Sequence, residues 1–217
     1  MDNTRYVDPC RHTFGDEKVL HHLVRRETKK NCSVCSKNLK KDLAYQCSWC
    51  KLFFHSTCGA DKECNFGDQK SYILPPDWIS HVDGKFIITQ KSDDITPIIA
   101  IVNPKSGGNK GSLVIKRLQF ILNPRQVFDV STKTSDIAQL FNNVTSLRYL
   151  ICGGDGSAGY AMHQFNQDGH NRPIAILPLG TGNDLSRTLG WGPGYIKEDL
   201  DKIVKEVGKG TISVLDR

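Results

Sequence analysis

The 217-residue chain has no long apolar run. Its longest, "PIIAIV", is the length of a strand, which argues against a membrane-spanning helix. The opening "MDNTRYVDPC" is polar and charged, which argues against a secretory leader there. Cysteine almost vanishes after residue 64: seven of the eight come earlier and only Cys152 follows, so the larger part of the chain cannot be a disulfide-stapled scaffold. These absences lead to the expectation of a soluble, intracellular protein. Its length allows one full domain plus a small one.

Charge is spread unevenly. Residues 1–75 carry 13 Lys/Arg against 9 Asp/Glu, and most of that excess lies between Lys18 and Lys41, where Glu27 is almost alone in opposing it. Such a patch suits anionic lipid or nucleic acid, or is simply the solvated face of a small domain. No aromatic residues interleave with it to form a nucleic-acid surface, so no nucleic-acid partner is expected.

The cysteines that are present are spaced for metal. Cys32-x-x-Cys35 and Cys47-x-x-Cys50 are followed by His55, Cys58 and Cys64, with His21 and His22 upstream. Each CxxC turn offers two thiolates, and tetrahedral zinc needs four ligands, so two zinc sites are expected. A segment of residues 21–64 is too short for a large core, and metal would supply much of its folding free energy. The order His, CxxC, CxxC, His, Cys, Cys resembles the cysteine-rich zinc domain of the phorbol-ester/diacylglycerol type, with "CSWCKLFFHSTC" the best-matching stretch. That resemblance implies two interleaved sites: His21, Cys47, Cys50 and Cys64 around one zinc, Cys32, Cys35, His55 and Cys58 around the other. His22 is the alternative to His21.

The stretch "DLAYQC" lacks the Gln-Gly pair and proline-bearing loop of the diacylglycerol-binding members. The expectation is therefore a docking module for a membrane surface or a protein partner. Cys10 is either an unpaired thiol or the last ligand of a preceding zinc domain. His12, His81, His163 and His170 lack partners at ligand spacing and read as surface or packing residues.

Residues 65–97, with Pro75-Pro76, Pro97 and a polar run, read as a linker holding one short strand, "KFIITQ". From Ile98 to residue 217 the pattern alternates. "IIAIV", "QVFDV", "RYLIC", "PIAIL" and "TISVL" are predicted strands. "GSLVIKRLQFIL" places Val114, Leu118, Ile121 and Leu122 on one helical face and ends at Pro124. "DIAQLFNNV", begun by Ser135, is a second helix, and "EDLDKIVKEV" a third, with Leu200, Ile203, Val204 and Val207 on one face. Apolar strands alternating with helices indicate an α/β domain with a mostly parallel sheet covered on both sides.

Ligands in such sheets bind beyond the carboxyl ends of the strands, where three glycine-rich turns fall: "NPKSGGNKG", "GGDGSAG" and "PLGTGND". Glycines let backbone N–H groups approach phosphate oxygens. Gly154-x-Gly156-x-x-Gly159 has dinucleotide spacing, but it does not follow the first strand, and no acid ends the next strand. "SGGNKGS" lacks the Gly-Lys-Ser of a Walker loop. Asp155 inside a phosphate turn makes sense if the ligand brings magnesium, so a nucleoside triphosphate with Mg²⁺ fits best. Asp155 can hold the ion directly or through water; Gly153, Gly154 and Gly156 wrap the phosphates, and Ser157 offers a hydroxyl to phosphate or ion.

"NPKSGG", "GGDGS" and "PLGTGNDL" resemble the three signature loops of the diacylglycerol kinases, whose nucleotide domain is akin to NAD kinase and phosphofructokinase. "ILNPRQVFDV", "LSRTLGWGPGY" and the preceding zinc module extend the likeness, and the "NFGDQKSYILPP" tail looks most like the epsilon type. The resemblance implies transfer of the ATP γ-phosphoryl group to the hydroxyl of diacylglycerol, with Mg-ATP and two Zn²⁺ as cofactors and peripheral membrane association from the cytoplasm. It further implies that Asn103, Ser106, Gly107 and Gly108 approach the nucleotide from the first loop, and that Gly153 to Ser157 hold phosphates and Mg²⁺, with Asp155 catalytic. Gly180, Thr181, Gly182, Asn183 and Asp184 would close the cleft, Asn183 either bonding the nucleotide or joining Asp184 in capping the "NDLSRTL" helix.

Because the sequence stops at "TISVLDR", these residues alone are expected to bind Mg-ATP weakly and turn over little lipid. Two alternatives remain: a sphingosine or ceramide kinase, against which stand "GTGND" and the zinc module, and a zinc-dependent interaction module on a non-catalytic nucleotide fold.

Overall fold

A computed structural model describes residues 19–39, 44–59, 61–167 and 172–214. Cys10, His12 and His170 lie outside the described residues. The cysteine-rich module is a three-stranded antiparallel sheet, β1 (Leu23–Arg25), β2 (Ala44–Cys47) and β3 (Phe53–His55), followed by a single turn of helix, α1 (Ser56–Gly59). Trp49 and Phe54 are its buried aromatic residues.

The segment read as a linker has structure of its own, with a strand at the predicted "KFIITQ". It carries a hairpin, β4 (Ile79–Val82) and β5 (Lys85–Ile88), turned by Asp83-Gly84 with φ of 49° and 75°. Two positive φ values at an Asp-Gly pair suit the right-handed twist of a hairpin, and that pair was the overlooked signal. Leu74, Trp78, Ile79, Ile88 and Ile95 are buried against one face of the large sheet. A polar network anchors the start of this segment. Gln126 Oε1 accepts the Leu74 N–H at 2.7 Å, its Nε2 donates to the Tyr72 and Ile98 carbonyls at 2.8 Å each, and Asn123 Nδ2 donates to the Leu74 carbonyl at 3.1 Å. Both side chains are fully buried, so these bonds hold residues 72–74 in place as a strand partner would.

The large sheet begins with β6 (Ile98–Val102), followed by α2 (Ser106–Ile121). Then come β7 (Val127–Asp129), α3 (Thr134–Leu140), β8 (Arg148–Gly153), α4 (Asp155–Gln167) and β9 (Ile174–Pro178). Two helices close the series, α5 (Asp184–Thr188) and α6 (Leu200–Lys209). The four strands lie in the order β7-β6-β8-β9 and every pair is parallel.

Side chains alternate faces along each strand. Ile98, Ala100, Val102, Leu150 and Cys152 pack under α2 and α6, while Ile99, Ile101, Tyr149 and Ile151 pack with α4, the hairpin and the end of α3. This is the two-sided burial that continuous apolar strands require. The predicted fifth strand "TISVL" does not form over residues 211–214. No neighbouring strand offers it a ladder among the described residues, and Ile212 and Val214 are left exposed. No helix among the described residues is long and apolar enough to cross a membrane.

Replacing Gln126 with alanine orphans buried N–H and C=O groups at about 1–3 kcal/mol each. Chemical denaturation of Gln126→Ala should show a loss of at least about 2 kcal/mol, well beyond that of an exposed Gln-to-Ala control such as Gln139→Ala.

Candidate functional site

β6, β8 and β9 end side by side, so the residues after each strand share one edge of the sheet. In the first loop the Asn103 side chain turns in two directions. Its Oδ1 accepts the Lys105 N–H at 3.0 Å, and its Nδ2 donates to Ser157 Oγ in the second loop at 3.0 Å. The Ser106 N–H donates to the Asn103 carbonyl at 3.1 Å. Gly107, Gly108 and Asn109 all take left-handed backbone angles, with φ of 60°, 66° and 69°, before regular helix begins. Any side chain at Gly107 would also collide with the Leu179 carbonyl of the third loop.

The second and third loops meet through glycine. A methyl group on Gly180 would lie 2.6 Å from Gly154 Cα, and one on Gly154 would lie 2.9 Å from the Gly182 carbonyl oxygen. Only hydrogen fits there. Gly156 and Gly159 have a different place from the one their spacing suggests: both lie within α4.

Asp155, the first residue of α4, spans the same junction. Its N–H donates to the Gly182 carbonyl at 3.0 Å. Its Oδ2 accepts the Asp184 N–H at 2.8 Å and its Oδ1 accepts the Leu185 N–H at 3.1 Å. Those are first-turn N–H groups of α5, which have no partner within their own helix. Asp155 therefore caps α5 from another loop, and each carboxylate oxygen still has lone pairs facing elsewhere.

Asn183 does not cap α5 with its side chain. Its Nδ2 instead donates to the Gly180 and Pro193 carbonyls at 2.7 and 2.9 Å, and its Oδ1 is buried without a partner. Asp184 is exposed and pairs with Arg187 at 2.7 Å. Thr181 and Gly182 are exposed beside it.

The arrangement presents backbone and the positive end of the α4 dipole to one open edge, a setting that favours anionic oxygens. A side chain at Gly108 or Gly156 would meet nothing within 4 Å, so the backbone there faces free space. Lys105 and Lys110, which the sequence reading passed over, stand exposed on the first loop. Two cations inside "NPKSGGNKG" were the available signal.

The second constellation is in the cysteine-rich module. His21, Cys47, Cys50 and Cys64 form one cluster and Cys32, Cys35, His55 and Cys58 another, each with its ligand atoms within 4.8 Å of one another. Cys47 Sγ and Cys64 Sγ are 3.7 Å apart, and Cys50 Sγ and His21 Nδ1 are 3.4 Å apart. In the second cluster His55 Nδ1 lies 3.4 Å from Cys35 Sγ and 3.8 Å from Cys58 Sγ. Zn–S bonds of about 2.3 Å in a tetrahedron put sulfurs about 3.8 Å apart, whereas a disulfide needs about 2.05 Å. The donor set and its spacing fit zinc.

Around Cys32, burial pushes the thiol pKa up, but backbone N–H groups of Cys35, Val34 and His55 outweigh it and bring it to about 6, towards the thiolate a metal needs. His22 stays outside both clusters, its ring against Phe120 of α2 at 5.9 Å, and burial lowers its pKa.

The clusters differ in setting. Cys47, Cys50 and Cys64 belong to the same apolar core as the sheet face under α2 and α6, while Cys35, His55 and Cys58 are half-buried at the far side.

Residues 97–214 match the diacylglycerol kinase catalytic domain, more than half of the chain, and the chain belongs to that family. Among its relatives it is 37% identical to diacylglycerol kinase iota of Rattus norvegicus, over 92% of this chain and 24% of the relative. It is 34% identical to diacylglycerol kinase zeta of Homo sapiens, over 92% and 27%. To probable diacylglycerol kinase 3 of Caenorhabditis elegans it is 34% identical, over 96% and 30%. The chain thus spans about a quarter to a third of these relatives. No solved structure matches it.

Cys47→Ser and Cys35→Ser should separate the two clusters. Each is expected to remove one equivalent of zinc per chain by elemental analysis. Only Cys47→Ser, in the shared core, should also lower the thermal transition of the large sheet, because lost metal there uncovers buried surface.

Proposed function

We propose that this chain serves a kinase that transfers the γ-phosphoryl group of ATP to the free hydroxyl of diacylglycerol, yielding phosphatidic acid. The observation that carries the reading is the mutual locking of three glycine-rich loops at one sheet edge, in a chain of the diacylglycerol kinase catalytic family. Such an edge suits a triphosphate, and positioning with charge neutralisation is what phosphoryl transfer chiefly requires.

In this reading Asn103, Ser106, Gly107 and Gly108 approach the phosphates from the first loop, and Lys105 and Lys110 supply positive charge there. Gly153, Gly154, Gly156 and Ser157 wrap the phosphates from the second, and Gly180 to Asp184 close the cleft. Asp155 is the catalytic carboxylate, using the lone pairs that its bonds to α5 leave open. Magnesium would neutralise phosphate charge when bound.

The eight Cys and His ligands hold two zinc ions and make residues 21–64 a docking module. That module would bring residues 98–217 to a membrane surface from the cytoplasm, or to a protein partner, with residues 65–97 joining the two. The epsilon-like subtype also remains our proposal, supported by the "NFGDQKSYILPP" stretch.

One observation favours a second reading, an interaction protein on a non-catalytic nucleotide fold: both Asp155 oxygens already accept backbone N–H bonds. Asp155→Asn in the full-length protein separates the two. For the kinase, turnover on diacylglycerol mixed micelles should fall by about 10²-fold or more, the scale of losing a transition-state contact, while zinc content stays unchanged. Diacylglycerol phosphorylation at the original rate by the variant, or none by the unaltered protein, would sink the catalytic reading.

A further inference from the structure

Between the cysteine-rich module and the large domain lies a cleft of about 640 Å³ that shares no lining residue with the three glycine-rich loops. Its size lies within the range of small-molecule sites. Arg26 and Lys51 line it from the first module, and Arg117, Lys197 and Lys205 from the second.

Three acids share the same wall, one of them in an ion pair and two bonded to backbone N–H groups. Asp201 pairs with Lys51 at 2.8 Å and accepts from Gln69 Nε2 at 2.6 Å. Asp199 accepts the Asp201 N–H at 3.0 Å as the cap of α6, and Glu198 accepts the Ile196 N–H at 2.6 Å. Lys205 is taken by Asp68 at 2.9 Å. That leaves Arg26, Arg117 and Lys197, and among the described residues no carboxylate forms an ion pair with any of them. Burial raises the pKa of the Tyr195 hydroxyl, and the nearby Arg117 opposes that rise. Phe120 and Leu200 add apolar surface.

The Lys51–Asp201 pair bridges the two walls, and the five cations lining the cleft outnumber its three carboxylates, two of those cations being the guanidinium groups of Arg26 and Arg117. Guanidinium groups match phosphate oxygens in pairs. We propose that this cleft is a binding site for a phosphate monoester, separate from the nucleotide site, and that it exists only while both modules are docked. The phosphate arrives either on a small soluble molecule or as a lipid headgroup; the site reads the phosphomonoester itself. This proposal does not depend on the kinase reading.

The test uses glycerol 3-phosphate as the soluble probe, titrated calorimetrically into the zinc-loaded full chain with Mg-ATP present. Phosphatidylcholine vesicles with and without phosphatidic acid are the lipid probe. One equivalent of glycerol 3-phosphate, or retention on phosphatidic acid vesicles alone, is expected. The responding arm identifies the source. Arg26→Ala and Arg117→Ala should each weaken the response about tenfold, the scale of one charge-assisted contact.

Removing zinc should abolish it, since one wall belongs to the metal-dependent module. If Arg117→Ala unfolds, Arg26→Ala, at an exposed position, carries the test alone. No response in either arm overturns the site, as does binding unchanged by Arg26→Ala or competition between the probe and Mg-ATP.

Discussion

The approach of backbone to backbone at Gly154 and Gly180 sets the geometry of everything on the ligand edge. Two turns from different strands come so close that a single methyl group would force them apart. That contact lets Asp155 reach the start of α5, lets the Gly182 carbonyl receive the Asp155 N–H, and leaves Gly107 room against Leu179. The three loops therefore form a closed triangle of contacts, completed by Asn103 on Ser157. Disturbing one displaces the others. Such interlocking holds backbone donors in place before any ligand arrives, which is the physical meaning of a preorganised site.

The cysteine-rich module is not a bead on a string. Its inner cluster belongs to the same apolar core as β6 and β8, and Lys51, with Gln69 and Asp68 of the segment that follows, makes polar contacts to α6. Exposed ion pairs contribute little individually, so the shared apolar surface dominates the docking. The inner Cys/His cluster and α6 thus share a common core.

Much of this was legible in advance. Strands Ile98–Val102, Arg148–Gly153 and Ile174–Pro178 were readable because uninterrupted β-branched and aliphatic runs have few other homes. The two Cys/His clusters were readable because paired CxxC turns preset half of each set. Within residues 65–97 the strand "KFIITQ" was readable, but the anchoring of residues 72–74 was not, since it comes from Gln126 and Asn123 about fifty residues away. "TISVL" misled for the converse reason: strand propensity without a neighbour to supply hydrogen bonds makes no strand.

Asp155 draws the line between the two sources of information. The sequence alone determined that a carboxylate would sit in a glycine turn at the end of a buried strand, because local pattern and strand period fix that much. Only the tertiary structure decided that both its oxygens would bond the first turn of α5, twenty-nine and thirty residues on. Hydrogen-bond partners distant along the chain are chosen by which strand ends the sheet order brings together, and no local pattern encodes that order.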